Sequence, residues 1–295
     1  MKRWITDGTI LALLISAGIV GASLAAAFKL AFPDQGPGAL ARDLWIAFIG
    51  SAAGAWGGAF ATQRIAERSA LRKGLIDEVR STNKAHAYAV RVFNTAVALH
   101  RQFSAPLFSL FKEQTKLFES GAPLEEGTKL PLLKFTVPVL GSDSVVNQVF
   151  SNVDASPRTQ AITLALEEAV HSLSQCVADR NVWIEAFRAE YEQLSLDALY
   201  SYFGTRRPDG RHDERHANLV KNIYESAKRV IWFSNTLCSL LTAHGVKTRS
   251  RFAVEFGEEG APRLNRSTIL DNSDGVVPTD AEFPSWSPKN FPPES

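Results

Sequence analysis

The sequence predicts an all-α membrane protein, in which a two-helix transmembrane hairpin is followed by a cytoplasmic antiparallel helical bundle with a long juxtamembrane helix and a disordered C-terminal tail. Three observations predict this fold class. Two long uncharged runs stand in the first 63 residues. Apolar residues then recur at helical spacing over most of the chain. The end of the chain, from residue 257, is acidic and rich in proline.

The first predicted element is the transmembrane hairpin, residues 1–63. No charged residue stands between Asp7 and Lys29, or between Asp43 and Arg64. At about 1.5 Å per residue, each run is long enough to cross a bilayer once as a helix. We therefore expect spans at about 9–30 and 44–63, joined by a short connection that contains prolines and glycines.

Basic residues flank the two spans and predict their orientation. Lys2 and Arg3 precede the first span. Four more follow the second span, where we expect them to face anionic lipid: Arg64, Arg68, Arg72 and Lys73. The positive-inside rule then predicts a protein of the inner membrane with both termini in the cytoplasm and the lipid bilayer as a partner. Cleavage of the first run as a signal peptide remains an alternative.

Small residues recur every fourth position in both runs. The stripes consist of Gly50, Gly54 and Gly58 in the second run and Ala17, Gly21 and Ala25 in the first. Such stripes allow helix backbones to approach closely, which predicts packing within the hairpin and self-association of the chain. The second run resembles the glycine- and alanine-striped pore helix of small-conductance mechanosensitive channels, and that resemblance implies an oligomeric pore. The absence of ionisable residues within the runs favours packing.

The helical bundle is predicted over residues 64–256. A proline-free run from Thr62 to Phe103 carries apolar or small residues in steps of three and four, which predicts the juxtamembrane helix. Ser156 before Pro157 is typical of a helix start, and Gly204 of a helix end. Further helices are predicted over 107–118, 142–150, 157–203 and 213–245, with an irregular connection over 122–141 and a strand or extended segment over 246–256.

The predicted tail comprises residues 257–295. It holds three cations against seven acidic residues and five prolines between 278 and 293. A segment with this composition buries little apolar surface, so we expect it to be disordered.

Histidines are the candidate chemical groups of the bundle. His86 and His100 fall on the predicted seam of the long helix, where an imidazole that titrates near neutrality could sense pH. His212 and His216 stand four residues apart and would share a helical face as weak candidates for zinc ligands. Asp213 stands where the metalloprotease motif HExxH has its glutamate, and the sequence identifies no third ligand. The sequence therefore predicts no metal site and no cofactor.

The whole-chain charge of +1 argues against a nucleic-acid partner. Phosphate-binding loops and nucleophile motifs are absent from the sequence. We therefore expect a membrane-anchored, non-enzymatic interaction or sensing module that self-associates and binds an unidentified protein partner. The alternatives are an oligomeric pore-forming or membrane-disrupting effector and a membrane-bound, metal-dependent enzyme.

Overall fold

The computed structural model describes residues 37–121, 130–191, 195–264, 275–286 and 288–291, and these residues form helices and no strand. The all-α prediction is therefore confirmed. The helices are α1 (Pro37–Leu99), α2 (Ala105–Glu119), α3 (Ser142–Asn152), α4 (Pro157–Glu190), α5 (Leu196–Phe203) and α6 (Arg215–Phe256). A π-helical turn (His100–Ser104) joins α1 to α2, and three short 3-10 turns follow α6 (Asp280–Glu282, Pro284–Trp286 and Pro288–Asn290).

The predicted membrane location is wrong for the part of the chain that the structure describes. None of its helices combines the length and the apolar character needed to cross a bilayer. Residues 44–63, the second predicted span, lie inside the long helix α1. Half of these residues are glycine or alanine, which carry little apolar surface. A prediction based on the absence of charged residues therefore overestimated the hydrophobicity of this run. The first predicted span, residues 9–30, lies outside the described residues.

The chain divides into two compact units, the first ending at Leu71 and the second beginning at Arg72. The boundary lies within α1, a few residues after the end of the predicted hairpin at 63. In the described part of the first unit, every residue from Gly54 to Leu71 is exposed.

The main core of the second unit is formed by apolar residues of α1, α4 and α6. Phe93 of α1, Leu166 and Leu173 of α4, and Ile231 and Leu237 of α6 are all fully buried in it. The helices α4 and α6 pack against each other along an extensive interface. Ser156 begins α4 as predicted: its hydroxyl accepts a hydrogen bond from the Thr159 amide at 3.3 Å.

A second, aromatic core lies where α2, α4, α5 and the start of α6 meet. It contains Phe111, Trp183, Phe187, Tyr202 and Phe203. The irregular connection that follows α2 packs beside it through Leu130 and Leu132, while Leu133 is 79% exposed.

Several predicted helix boundaries differ from the structure, two of them substantially in the second half of the bundle. The predicted helix 157–203 breaks after Glu190, and Ser195 starts α5 by accepting a hydrogen bond from the Ala198 amide at 3.1 Å. The last helix does not end at Gly245 but continues to Phe256, so the residues predicted as a strand or extended segment are helical. Gly245 is buried in α6, where a side chain would meet Leu264 at 2.8 Å and Thr82 at 3.5 Å.

The predicted disordered tail is also partly wrong. We name residues 275–286 the C-terminal strap. Its Val276, Val277, Phe283 and Trp286 pack against the main core, and Pro278 is buried. The prediction of disorder used the average composition of the tail. These apolar residues are few, so they changed that average little, although they lie close together in the sequence. Residues 265–274, 287 and 292–295 of the predicted tail lie outside the described residues.

Candidate binding cleft

A cleft of about 840 Å³ opens beside the aromatic core. Residues of α4, α5, the start of α6 and the loop 204–214 line it. Trp183 and Phe187 of α4 lie at its base and are 8% and 5% exposed. The cleft therefore combines an aromatic base with a rim of exposed, charged side chains.

The aromatic base is a ladder along α4. Trp183, Phe187 and Tyr191 follow each other at intervals of four residues, which places them on one helical face. The rings of Trp183 and Phe187 stack with centroids 4.7 Å apart, and those of Phe187 and Tyr191 lie 5.1 Å apart. The opposite neighbour of Trp183 is His216 of α6, whose ring stacks on the indole at 4.2 Å.

Arg207 anchors the loop that forms one side of the cleft. Its guanidinium donates hydrogen bonds to the Ser201 hydroxyl at 2.7 Å, the Tyr191 hydroxyl at 3.2 Å and the Asp197 carbonyl at 3.3 Å. These bonds tie the loop both to α5 and to the end of α4. Because the loop is held from several directions, the wall that it presents to the cleft is well defined.

The rim of the cleft carries both signs of charge. Arg211 pairs with Asp209 at 2.7 Å and Arg215 pairs with Asp213 at 2.9 Å. These arginine partners hold the pKa of both aspartates below the usual value, with hydrogen bonds from Arg211 and Arg215 as the main cause. A rim of alternating charge over an aromatic base suits a polar segment of protein better than a highly charged polymer.

The structure does not place the two candidate zinc ligands on one helical face. His212 precedes α6 and is exposed, and its Nε2 atom lies 2.9 Å from the Gly204 carbonyl. His216 is fully buried, and its Nδ1 atom lies 2.9 Å from the Tyr202 carbonyl. Among the described residues, no group of three or more potential ligands could hold a metal ion.

His216 and Tyr202 form a buried polar pair beneath the cleft, whereas the sequence analysis considered His216 only as a zinc ligand. A carbonyl only accepts hydrogen bonds, so the neutral His216 donates from Nδ1 to Tyr202 and its Nε2 carries no proton. Within the described chain, neither this Nε2 nor the Tyr202 hydroxyl has a hydrogen-bond partner. Burial lowers the pKa of His216 from 6.5 to about 3 and raises that of Tyr202 above its usual value.

Arg180 is a functional group of this region that the sequence analysis missed. It is 1% exposed and donates hydrogen bonds to the Leu133 carbonyl at 3.0 Å and the Pro131 carbonyl at 2.6 Å. The spacing of Val177, Arg180 and Ile184 already places the arginine on the buried face of α4.

The two seam histidines are buried as their spacing predicted. His86 is 7% exposed, and burial lowers its pKa. His100 is 7% exposed and its Nδ1 atom lies 2.8 Å from the Ser104 hydroxyl. Burial, together with the nearby charge of Lys228, lowers the pKa of His100. Their proposed role as pH sensors is not tested by this geometry.

The small-residue stripe of the second run lies on an exposed stretch of α1. Gly50, Gly54 and Gly58 are exposed, and a side chain added at any of them would meet no atom within 4 Å. Ala17, Gly21 and Ala25 lie outside the described residues.

The basic residues that follow this stretch are also exposed: Arg64, Arg68, Arg72 and Lys73. The guanidinium of Arg64 stacks over the Phe60 ring at 5.2 Å. Their predicted contact with lipid depended on the predicted span that precedes them, and the described helix that contains this span lacks the apolar character needed to cross a bilayer.

Comparison with known proteins found no match: no protein-family model, no curated protein and no solved structure is similar to the chain.

Proposed function

We propose that the chain is a non-enzymatic helical interaction module that self-associates through residues 50–65 of α1 and binds a protein partner with its bundle. One observation carries the proposal: this stretch of helix exposes large apolar side chains. Trp56 is 56% exposed, Phe60 59% and Ile65 70%. Trp56 and Phe60 stand four residues apart and share one helical face, whereas Ile65 lies on the face of Gly54. Exposed apolar side chains grouped in this way mark interaction sites in folded proteins.

The surface of the same stretch has a shape that allows two helices to pack closely. Gly50, Gly54 and Gly58 form a shallow groove along one face of α1. Trp56 follows Gly54 by two residues, which at about 100° per residue places it nearly opposite on the helix. One helix therefore offers both a groove and a ridge, and a second copy supplies the complement of each.

The cleft beside the aromatic core supports the second half of the proposal. Its aromatic base and its rim of paired charges have the composition of a protein-binding surface, with apolar groups at the centre and polar groups around them. We assign no catalytic role to this cleft, because His212 and His216 face separate backbone carbonyls.

The mass of the purified full-length chain tests self-association. We expect an oligomer by light scattering or sedimentation at micromolar concentration. We expect Gly54→Leu to raise the dissociation constant of this oligomer at least tenfold, because the added side chain fills the groove. Gly74→Leu is the matched control, since Gly74 is also exposed on α1 with nothing within 4 Å of an added Cβ. A monomer in all three proteins, or an oligomer that tolerates Gly54→Leu, contradicts the proposal.

A further inference from the structure

We propose that the groove between α4 and α6 is a docking site for an acidic–aromatic peptide segment of a partner protein, and that the C-terminal strap occupies this site within the same chain. The inference rests on the proposed interaction module and names the chemistry of one partner. It concerns a surface separate from residues 50–65, so the two proposals are tested by different measurements.

Aromatic side chains provide the apolar part of the docking. Phe283 stacks on Trp232 of α6 with ring centroids 4.6 Å apart. Trp286 meets the ring of Phe233 edge to face at 5.0 Å. Trp232 and Phe233 are consecutive in α6 and are 2% and 5% exposed in the presence of the strap. The groove therefore offers two adjacent aromatic surfaces to a segment with aromatic residues three positions apart.

Acidic side chains provide the polar part. The indole of Trp232 donates a hydrogen bond to the Asp280 carboxylate at 3.2 Å, and Lys228 forms an ion pair with Glu282. This pair holds the pKa of Glu282 below its usual value. The Arg229 side chain adds a second cation to the wall of the groove. Glu168 and Glu225 also line this surface, so the contact that favours an acidic segment is the specific ion pair of Lys228 with Glu282.

The strap presents these groups through a short local fold rather than a long helix. Thr279 and Glu282 form a capping box, in which each side chain binds the backbone of the other. This arrangement places Asp280 and Glu282 toward α6 immediately before Phe283. The recognised pattern is therefore two acidic residues at alternate positions, then an aromatic residue, then a second aromatic residue three positions later.

The strap does not fill its groove. A cavity of about 420 Å³ remains beside it, lined by Glu168 and Ser172 of α4, Glu225 of α6, and Ser285 and Trp286 of the strap. A partner segment with larger side chains has room to contact this surface. The cavity also gives an incoming segment a place to bind before the strap has left.

The strap and a partner segment compete for the same groove, and this competition sets the apparent affinity of the partner segment. A tethered segment is present at an effective concentration on the order of millimolar, so the native chain keeps the groove occupied most of the time. The apparent affinity of a competing segment is reduced by the fraction of chains whose groove is open. Weakening the strap should therefore strengthen the binding of a peptide added in solution.

A labelled peptide with the sequence of residues 277–288 tests the proposal by fluorescence anisotropy. We expect it to bind the full-length chain carrying Phe283→Ala and Trp286→Ala at least tenfold more tightly than the native chain. The control peptide carries the same two alanines and should not bind. The variant is used once its helix content and cooperative unfolding match those of the native chain, and Glu282→Lys replaces it if they do not.

A charge exchange tests the recognition of the acidic residues. Adding Lys228→Glu to the strap variant should weaken peptide binding about tenfold, and a peptide with Glu282→Lys should recover much of the loss. Equal binding to the native and strap variants, no binding to either, or no effect of the exchange overturns the proposal. If the full-length chain is a monomer but still binds the peptide as expected, only the proposed self-association through α1 is overturned.

Discussion

At the scale of single residues, Arg180 shows how a buried charge organises an irregular segment. Backbone carbonyls that face a protein interior need donors, and the described residues 130–141 of the connection between α2 and α3 form no helix or strand that would supply them. Arg180 satisfies two of these carbonyls from the middle of α4. The spacing of Val177, Arg180 and Ile184 is consistent with an inward position that we did not predict, and sequence alone could not identify the partners of Arg180, which lie nearly fifty positions away.

Replacing this arginine should destabilise the fold. We expect Arg180→Met to lower the free energy of unfolding by about 3 kcal/mol, because it removes two hydrogen bonds that a buried, charged side chain donates to the backbone of the connection. Arg188→Met is the matched control on the same helix. Arg188 is exposed and binds the carbonyl of Leu132 at 3.0 Å, so its loss should cost less than about 1 kcal/mol. Urea unfolding measures both, and equal losses would contradict the assigned role.

At the scale of elements, the sequence predicted the helices better than their ends. Spacing of apolar residues correctly predicted helical structure over most of residues 62–245. Glycine was an ambiguous signal, because Gly204 ends a helix with a φ of 66° whereas Gly245 lies inside one. The role of Gly245 depends on its packing against Thr82 and Leu264, which are distant in sequence. The break before Ser195 was missed because the apolar spacing continues across it.

Gly204, at the end of α5, gives a prediction on the free energy of unfolding, and Gly210 in the following loop serves as its reference. Gly204→Ala places a methyl group 2.9 Å from Ala217 Cβ and 3.3 Å from Glu214 Cα, in addition to the strain of a positive φ. We expect it to lower the free energy of unfolding by about 2–4 kcal/mol. Gly210→Ala has a φ of 87° with no atom within 4 Å, so strain alone should cost about 1–2 kcal/mol. Chemical denaturation compares them, and similar losses would argue against tight packing at Gly204.

At the scale of the whole molecule, the candidate sites arise from contacts between distant parts of the chain. The cleft requires α4 to meet the loop 204–214, and the docking groove requires α4 to pack against α6, where the C-terminal strap then binds. Sequence periodicity predicts which face of each helix is apolar, but it does not identify the partner of that face. The tail illustrates the limit, because its average composition indicated disorder while Phe283 and Trp286 have specific aromatic partners.

The buried histidines predict how the stability of the whole molecule depends on pH. His216 has its ordinary pKa of 6.5 in the unfolded chain and a pKa of about 3 in the folded one. Its contribution to stability is therefore complete above about pH 6.5 and is lost progressively as the pH falls toward 3. In that window each such group lowers the free energy of unfolding by about 1.4 kcal/mol per pH unit. His86 and His100 change stability in the same direction, since burial lowers their pKa values as well.

Comparing pH 7 with pH 5 isolates the histidines, because the carboxylates titrate in the unfolded chain at lower pH. We expect the native chain to lose about 2 kcal/mol from His216 alone over this interval. His216→Asn should remove that part of the loss, because an asparagine amide at this position can still donate to the Tyr202 carbonyl but takes up no proton. His171→Asn, at an exposed position of α4, is the control for the substitution itself. Urea unfolding at both pH values makes the comparison. A His216→Asn profile as steep as the native one would mean that the folded chain admits a proton at His216 without opening the aromatic core.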